Sequence, residues 1–170
     1  MIEPDLEWAF IDGSYAKAHQ HSAGAVGNGE EGIGKSRAGN TSKIHLAVDG
    51  HGLPIDFDIT GGEVHDCRVA PELIAKLPKT DVIIADKGYD SEQIREKISS
   101  KGCQAVIPRK CNSVKGNADL DRGLYKYRHW VENTFARLKH YRAFATRFDK
   151  LKRNYRSLVA MACTLLWLPM

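Results

Sequence analysis

Three acids sit at positions where their chemistry could converge. Asp12 follows the apolar run 8–11, Trp-Ala-Phe-Ile, and Asp86 follows the run 82–85, Val-Ile-Ile-Ala. Short apolar runs closed by an acid read as buried strands ending in turns. If the two strands lie side by side, both carboxylates emerge at neighbouring points of a sheet, where they can share a hard divalent cation. Each Asp alone is equally a turn residue, since Asp commonly follows strands. Glu132 adds a third acid on a helical segment. At about 100° per residue, with Glu132 as zero, Tyr125, Arg128 and Lys139 fall near +20°, −40° and −20°. Val131, Leu138, Tyr127 and Tyr141 occupy the arc from about −100° to 180°. A polar stripe of Tyr125, Arg128, Glu132 and Lys139 therefore borders an apolar face, where a carboxylate can meet a sheet edge. A plain helix ion pair between Arg128 and Glu132 is the simpler account of the same spacing.

Other motifs carry less. Residues 27–32 fit G-x-G-x-x-G and residues 29–36 fit G-x-x-x-x-G-K-S. Both nucleotide motifs need a strand before the glycines and a helix after them, because the helix N-terminus and loop amides hold the phosphates. The nearest apolar run ends at Ile11 and a strand-like segment follows Ser36, so neither motif has its context. Cys67, Cys103, Cys111 and Cys163 form no C-x-x-C pair, which supports free thiols and neither a zinc ribbon nor a redox motif. His19, His21, His45 and His65 are unassigned. His65 precedes Asp66, which makes it the histidine to consider for proton shuttling.

The elements that must position the acids follow from the same string. After strand 8–11, residues 41–49 and 54–60 alternate apolar and polar around Asp49-Gly50-His51-Gly52, a hairpin signal. Strand 82–85 comes next, then a helix from an N-cap at Ser91 to Ser100, and a strand at 104–107. Residues 125–141 and 151–168 have helical spacing, and the intervening stretch 61–81 is left as a connection. The order predicts an α/β fold on a mixed sheet, with one domain over 1–170. The segment 22–39 holds six glycines in 18 residues and predicts a mobile loop whose Lys35 and Arg37 form a positive tip.

Composition fits a folded globular chain, with 42% hydrophobic and 27% charged residues. The apolar run 158–168 is too short to span a bilayer and reads as a buried helix. No secretory signal opens the chain, which predicts a cytoplasmic protein. The net charge of +4 conceals a division. Residues 1–100 carry 10 basic and 17 acidic side chains, and residues 101–170 carry 15 basic and four acidic ones. The second block, with Tyr141-Arg142 and Tyr155-Arg156 interleaved, suits a polyanion.

The spacing Tyr125-x2-Arg128-x3-Glu132-x6-Lys139 resembles the Y-R-E-K signature of DDE transposases from bacterial insertion sequences. The likeness extends through Ile11-Asp12-Gly13-Ser14-Tyr15, Ala18-His19-Gln20-His21, Ser42-Lys43-Ile44-His45, Gly61-Gly62-Glu63-Val64-His65-Asp66, Ala85-Asp86-Lys87-Gly88-Tyr89-Asp90 and residues 146–151, and points to the insertion-sequence-five group. It implies a ribonuclease H-like core, a mixed sheet flanked by helices, in which Asp12, Asp86 and Glu132 bind two Mg²⁺ ions, with Mn²⁺ able to substitute. It also implies hydrolysis at transposon ends and transfer of 3′-ends into target DNA. Tyr125, Arg128 and Lys139 would contact DNA phosphates, with Lys35, Arg37 and Lys43 as further DNA contacts. A homodimer on DNA, nucleoid association and a separately encoded N-terminal end-recognition region complete the expectation. A catalytically inactive DNA-binding fragment that regulates transposition is the alternative from a different class.

Overall fold

Strand β1, Trp8–Ala18, is the axis of the fold. In the computed structural model, which describes residues 3–22 and 31–168, it is hydrogen-bonded on both sides, antiparallel to β3 (Gly39–Val48) and parallel to β5 (Val82–Ala85). β4 (Pro54–Gly61) flanks β3 and β6 (Gln104–Val106) flanks β5, so the sheet is mixed. The Asp49–Gly52 hairpin forms as expected. The Asp49 carboxylate accepts from the His51 and Leu53 N–H groups, and Gly52 takes φ +76°, a conformation that favours glycine.

Alternation along β1 sorts the core into two layers. Phe10, with Ile44, Leu46, Val48 and Ile84, packs against α4 (His129–Lys139) and α6 (Lys152–Leu165) through Val131, Phe135, Leu138 and Val159. Ala9 and Ile11, with Ala47, Ile83 and Ala85, pack against α1 (Asp66–Lys76) and α2 (Glu92–Ser100) through Leu73, Ile74, Ile94 and Ile98. Because side chains alternate with period two, Asp12 and Asp86 share the α4 side with Phe10 and Ile84, whereas Gly13 faces α1.

Several expectations change. β1 does not end at Asp12 but continues six residues further, because residues 41–46 of β3 pair with residues 12–17. The connection 61–81 contains α1, whose Val69, Ala70, Leu73 and Ile74 are buried although Pro71 lies inside it. The helix expected from 125 is divided into α3 (Arg122–Tyr125), a 3₁₀ turn Lys126–Arg128, and α4. Two short elements, α5 (Arg142–Ala145) and β7 (Thr146–Arg147), follow, and β7 pairs with the end of β1. Of the glycine-rich segment, residues 23–30 lie outside the described residues. The rest is not an open loop: Ser22 is buried, and β2 (Gly34–Ser36) forms a hairpin with residues 39–41. The run 158–168 buries one face only, leaving Met161, Leu165 and Leu168 exposed. No helix among the described residues is long and apolar enough to cross a membrane.

Candidate active site

The register of β1 and β5 sets the two aspartates side by side. Ile11 pairs with Ala85, so Asp12 and Asp86 are the next residues of adjacent parallel strands. Each is oriented by a local backbone donor. The Gly13 N–H donates to Asp12 Oδ1 at 2.8 Å, and the Gly88 N–H donates to Asp86 Oδ1 at 2.7 Å, where Asp86 caps the 3₁₀ turn Lys87–Tyr89.

α4 brings the third acid. Val131, Thr134, Phe135 and Leu138 bury one face of this helix, and the Thr134 hydroxyl donates to the carbonyl of Gly52, tying the helix to the β3–β4 turn. Arg128, at the helix start, donates through Nη1 to Asp12 Oδ2 at 3.2 Å and through Nη2 to Glu132 one turn on. Its guanidinium also lies over the Tyr125 ring, 5.9 Å from the centroid. Arg128 therefore touches both Tyr125 and Glu132. Lys139 is exposed at the far end of α4.

Charge is poorly balanced here. Burial pushes the Asp12 carboxyl up to about 6; the Gly13 N–H and Arg128 oppose the rise, and Asp86 and Glu132 add to it. Hard oxygen donors short of positive charge suit Mg²⁺ or Mn²⁺. Among the described residues no three His, Cys, Asp or Glu side chains are gathered closely enough to hold a metal ion. The Arg128 guanidinium stands between Asp12 and Glu132 and bridges their carboxylates.

The remaining candidates are distributed differently. Lys35 and Arg37 are exposed on the β2–β3 hairpin, beside a cleft that Tyr15 and Glu63 also line. Lys43 is not a surface cation. Its Nζ is buried and paired with Asp66 at 2.7 Å. Asp66, which the sequence reading passed over except as a neighbour of His65, lies at the start of α1 and also meets His45 Nδ1 at 3.3 Å and the Tyr89 hydroxyl at 3.4 Å. A Cβ on Gly13 would come within 2.7 Å of Asp66 Oδ1, so this approach requires glycine. The clue was available in the ordered motifs containing Lys43, His45, Asp66 and Tyr89, but nothing in their spacing shows that they meet.

Residues 4–167 match the family model described as the transposase DDE domain. The chain is 36% identical over 129 residues to a Brucella ovis protein named for transposition of insertion sequence element IS6501, covering 75% of this chain and 98% of that one. It is 31% identical over 141 residues to a Burkholderia cepacia protein named for element IS402, covering 76% of this chain and 64% of that one. Its fold is similar to a chain in the cryoEM structure of the simian T-cell lymphotropic virus intasome in complex with PP2A regulatory subunit B56 gamma. The TM-score is 0.54 at 14% identity, over 94% of this chain and 48% of that chain. The architecture is ribonuclease H-like, a mixed sheet flanked by helices.

Proposed function

The chain belongs to the DDE transposase family, and from that premise we propose that it is a catalytic core that hydrolyses phosphodiesters at the ends of an insertion sequence and transfers the 3′-ends into target DNA. Within the family, the Y-R-E-K spacing favours the insertion-sequence-five group. The observation that supports this reading best is the placement of Asp12 and Asp86 as neighbours on one side of the sheet, with Arg128 linking Asp12 to Glu132.

In this reading Asp12, Asp86 and Glu132 are the ligands of two Mg²⁺ ions. When bound, such a pair activates a water or 3′-hydroxyl and stabilises the leaving oxygen of an in-line displacement. The chain's own residues do the rest. The Gly13 and Gly88 amides hold one oxygen of each aspartate, leaving the other to face the reaction. Arg128 neutralises Asp12 and Glu132 until a DNA phosphate offers it a stronger bidentate partner, and its transfer to that phosphate frees their oxygens. Tyr125 steadies the guanidinium, and exposed Lys139, Lys35 and Arg37 add phosphate contacts further out. Each copy has one such centre, so pairing two transposon ends takes two copies on DNA.

The deciding experiment compares wild type with Asp86→Asn in a Mg²⁺-dependent nicking assay and a DNA-binding assay. Loss of nicking with binding retained is the expected result. Equal nicking by the variant rejects the assignment, and binding by the wild type without any cleavage favours the regulatory DNA-binding fragment instead.

A further inference from the structure

Asp86 has two flanks. On one, β1 supplies Asp12 and leads to Arg128. On the other, beyond β6, an open groove of about 740 Å³ runs from Asp86 along the segment that follows the strand, lined by Lys87, Arg109, Lys110, Cys111 and Asn117. The groove is built rather than incidental. Arg109 donates its backbone N–H to Asn117 Oδ1 at 2.6 Å, and its guanidinium pairs with Glu92 at 2.9 Å and lies 3.7 Å from Asp119. The Lys110 N–H donates to Asp90 Oδ2 at 2.8 Å, and Asp90 is itself held by Arg95 at 2.9 Å. These contacts fix the groove wall and neutralise Arg109. They leave Lys87 and Lys110 exposed, and neither ammonium pairs with an acid among the described residues.

We infer that this groove is a second phosphate-binding lane, which takes the sugar-phosphate backbone of a DNA strand as it leaves the Asp12–Asp86 centre on the β6 side. The inference rests on reading that centre as the reactive one. Neighbouring strands are separated by ~4.8 Å, so moving from β5 to β6 carries a bound strand about one nucleotide past Asp86. There Lys87 and Lys110 offer flexible point charges and Asn117 a fixed amide, groups that hold a backbone without reading bases. The strand can belong to the transposon end or to the target, since both present the same phosphates.

Cys111 makes the groove directly testable, because it is the exposed thiol of the four. Cys103 and Cys163 are buried, and half-buried Cys67 donates to the carbonyl of Gly88, with its thiol raised by burial. Maleimide labelling of Cys111 is followed in EDTA, so that the readout does not depend on cleavage. Mixed-sequence duplex DNA, or duplex carrying the element's own terminus, is added at low salt. Labelling is expected to slow at least about fivefold with one of them, and Lys87→Ala/Lys110→Ala is expected to abolish this protection and reduce the log–log salt slope of DNA binding by about 2. Protection by terminal DNA alone assigns the lane to the transposon end, and protection by mixed-sequence DNA assigns it to the target. Full-rate labelling with both DNAs under conditions where DNA is bound overturns the proposal. If that happens while Asp86→Asn is inactive in cleavage, the lane is wrong and the reactive centre stands; if Asp86→Asn cleaves normally, it is the centre that fails.

Discussion

Asp12 and Asp66 approach β1 from opposite sides, separated by a single step along the strand. On the α1 side, Asp66 is met by Lys43, His45 and Tyr89. Burial alone would raise its carboxyl, but the hydrogen bonds from His45 and Lys43 and the charge of Lys43 outweigh it and lower the group to about 2. On the α4 side, Asp12 has one guanidinium to share with Glu132, and burial raises it to about 6. The same residue type, similarly sheltered, is held in a tight ion pair in one place and shares a single cation with a second carboxylate in the other. What separates them is the supply of fixed cations. A cluster neutralised from within serves the fold, and one left short of positive charge is ready for a cation from outside. Tyr89 links the two: burial first, then Asp66, Asp12 and Asp86, raise its hydroxyl well above the ordinary tyrosine range.

The most severe way to break this contrast is to neutralise each acid and measure DNA nicking with Mg²⁺. Residues that orient the ligands of a metal site cost about 10–100-fold when removed, so with Asp12 as a ligand, as proposed, Asp12→Asn should exceed about 100-fold, whereas Asp66→Asn at a temperature where it is folded should cost less than about 10-fold. The reverse ranking would exchange the roles of the two clusters.

Stability should move in the opposite sense. Asp66→Asn leaves the buried Lys43 ammonium without its counter-ion, and the depressed Asp66 carboxyl corresponds to about 2 kcal/mol at neutral pH, which the variant should lose in urea unfolding. Asp12→Asn removes a charge that burial disfavours, so the metal-free variant should gain up to about 3 kcal/mol. Chemical denaturation of both in EDTA checks the signs together.

The pH dependence sharpens the same point. Asp66 is more acidic folded than unfolded, so its contribution is present above about pH 4 and is lost as pH falls toward 2. Asp12 is less acidic folded than unfolded, so its ionisation opposes folding, and that penalty grows as pH rises from about 4 to 6. Lowering pH from about 7 to 5 should therefore stabilise the metal-free wild type by about 1 kcal/mol more than Asp12→Asn. Identical pH profiles for the two proteins would remove the evidence that Asp12 is poised for a cation.

How far this could be read from the sequence depended on whether the signal was local. The run 82–85 closed by Asp86, the 49–52 turn and the 3.6-residue stripe linking Arg128 to Glu132 are each written within a few residues, and they appear in the structure. β1 beyond Asp12 was missed because Gly13, Ser14 and Lys17 break the apolar run, and β3 supplies the pairing that continues the strand. Pro71 hid α1 by interrupting an otherwise amphipathic pattern. Lys43 reads as a free cation in a strand until Asp66, 23 residues later and on a helix, comes to it. Only the tertiary fold creates that pair.

The finest distinction between the clusters is whether their cation can be exchanged. Lys43 is enclosed, with 7% of its side chain exposed, and its ammonium is paired with Asp66 at 2.7 Å. Arg128 is nearer the rim, and its contact with half-exposed Glu132 is of the kind worth about 0.2–1 kcal/mol. A divalent cation binding Asp12 and Glu132 must displace the guanidinium. Arg128→Ala should therefore strengthen Mn²⁺ binding to the DNA-free protein by roughly fivefold, equivalent to about 1 kcal/mol of lost competition. The same variant should bind DNA more weakly, because the guanidinium that moves to phosphate is gone. Lys152→Ala, on α6, should leave Mn²⁺ affinity unchanged and lower DNA affinity only slightly. Calorimetric titration of Mn²⁺ into the three proteins, with and without DNA, reads both halves of the exchange. Unchanged or weaker Mn²⁺ binding by Arg128→Ala would mean that Arg128 is as fixed as Lys43, and the difference between the two faces of β1 would lie in burial alone.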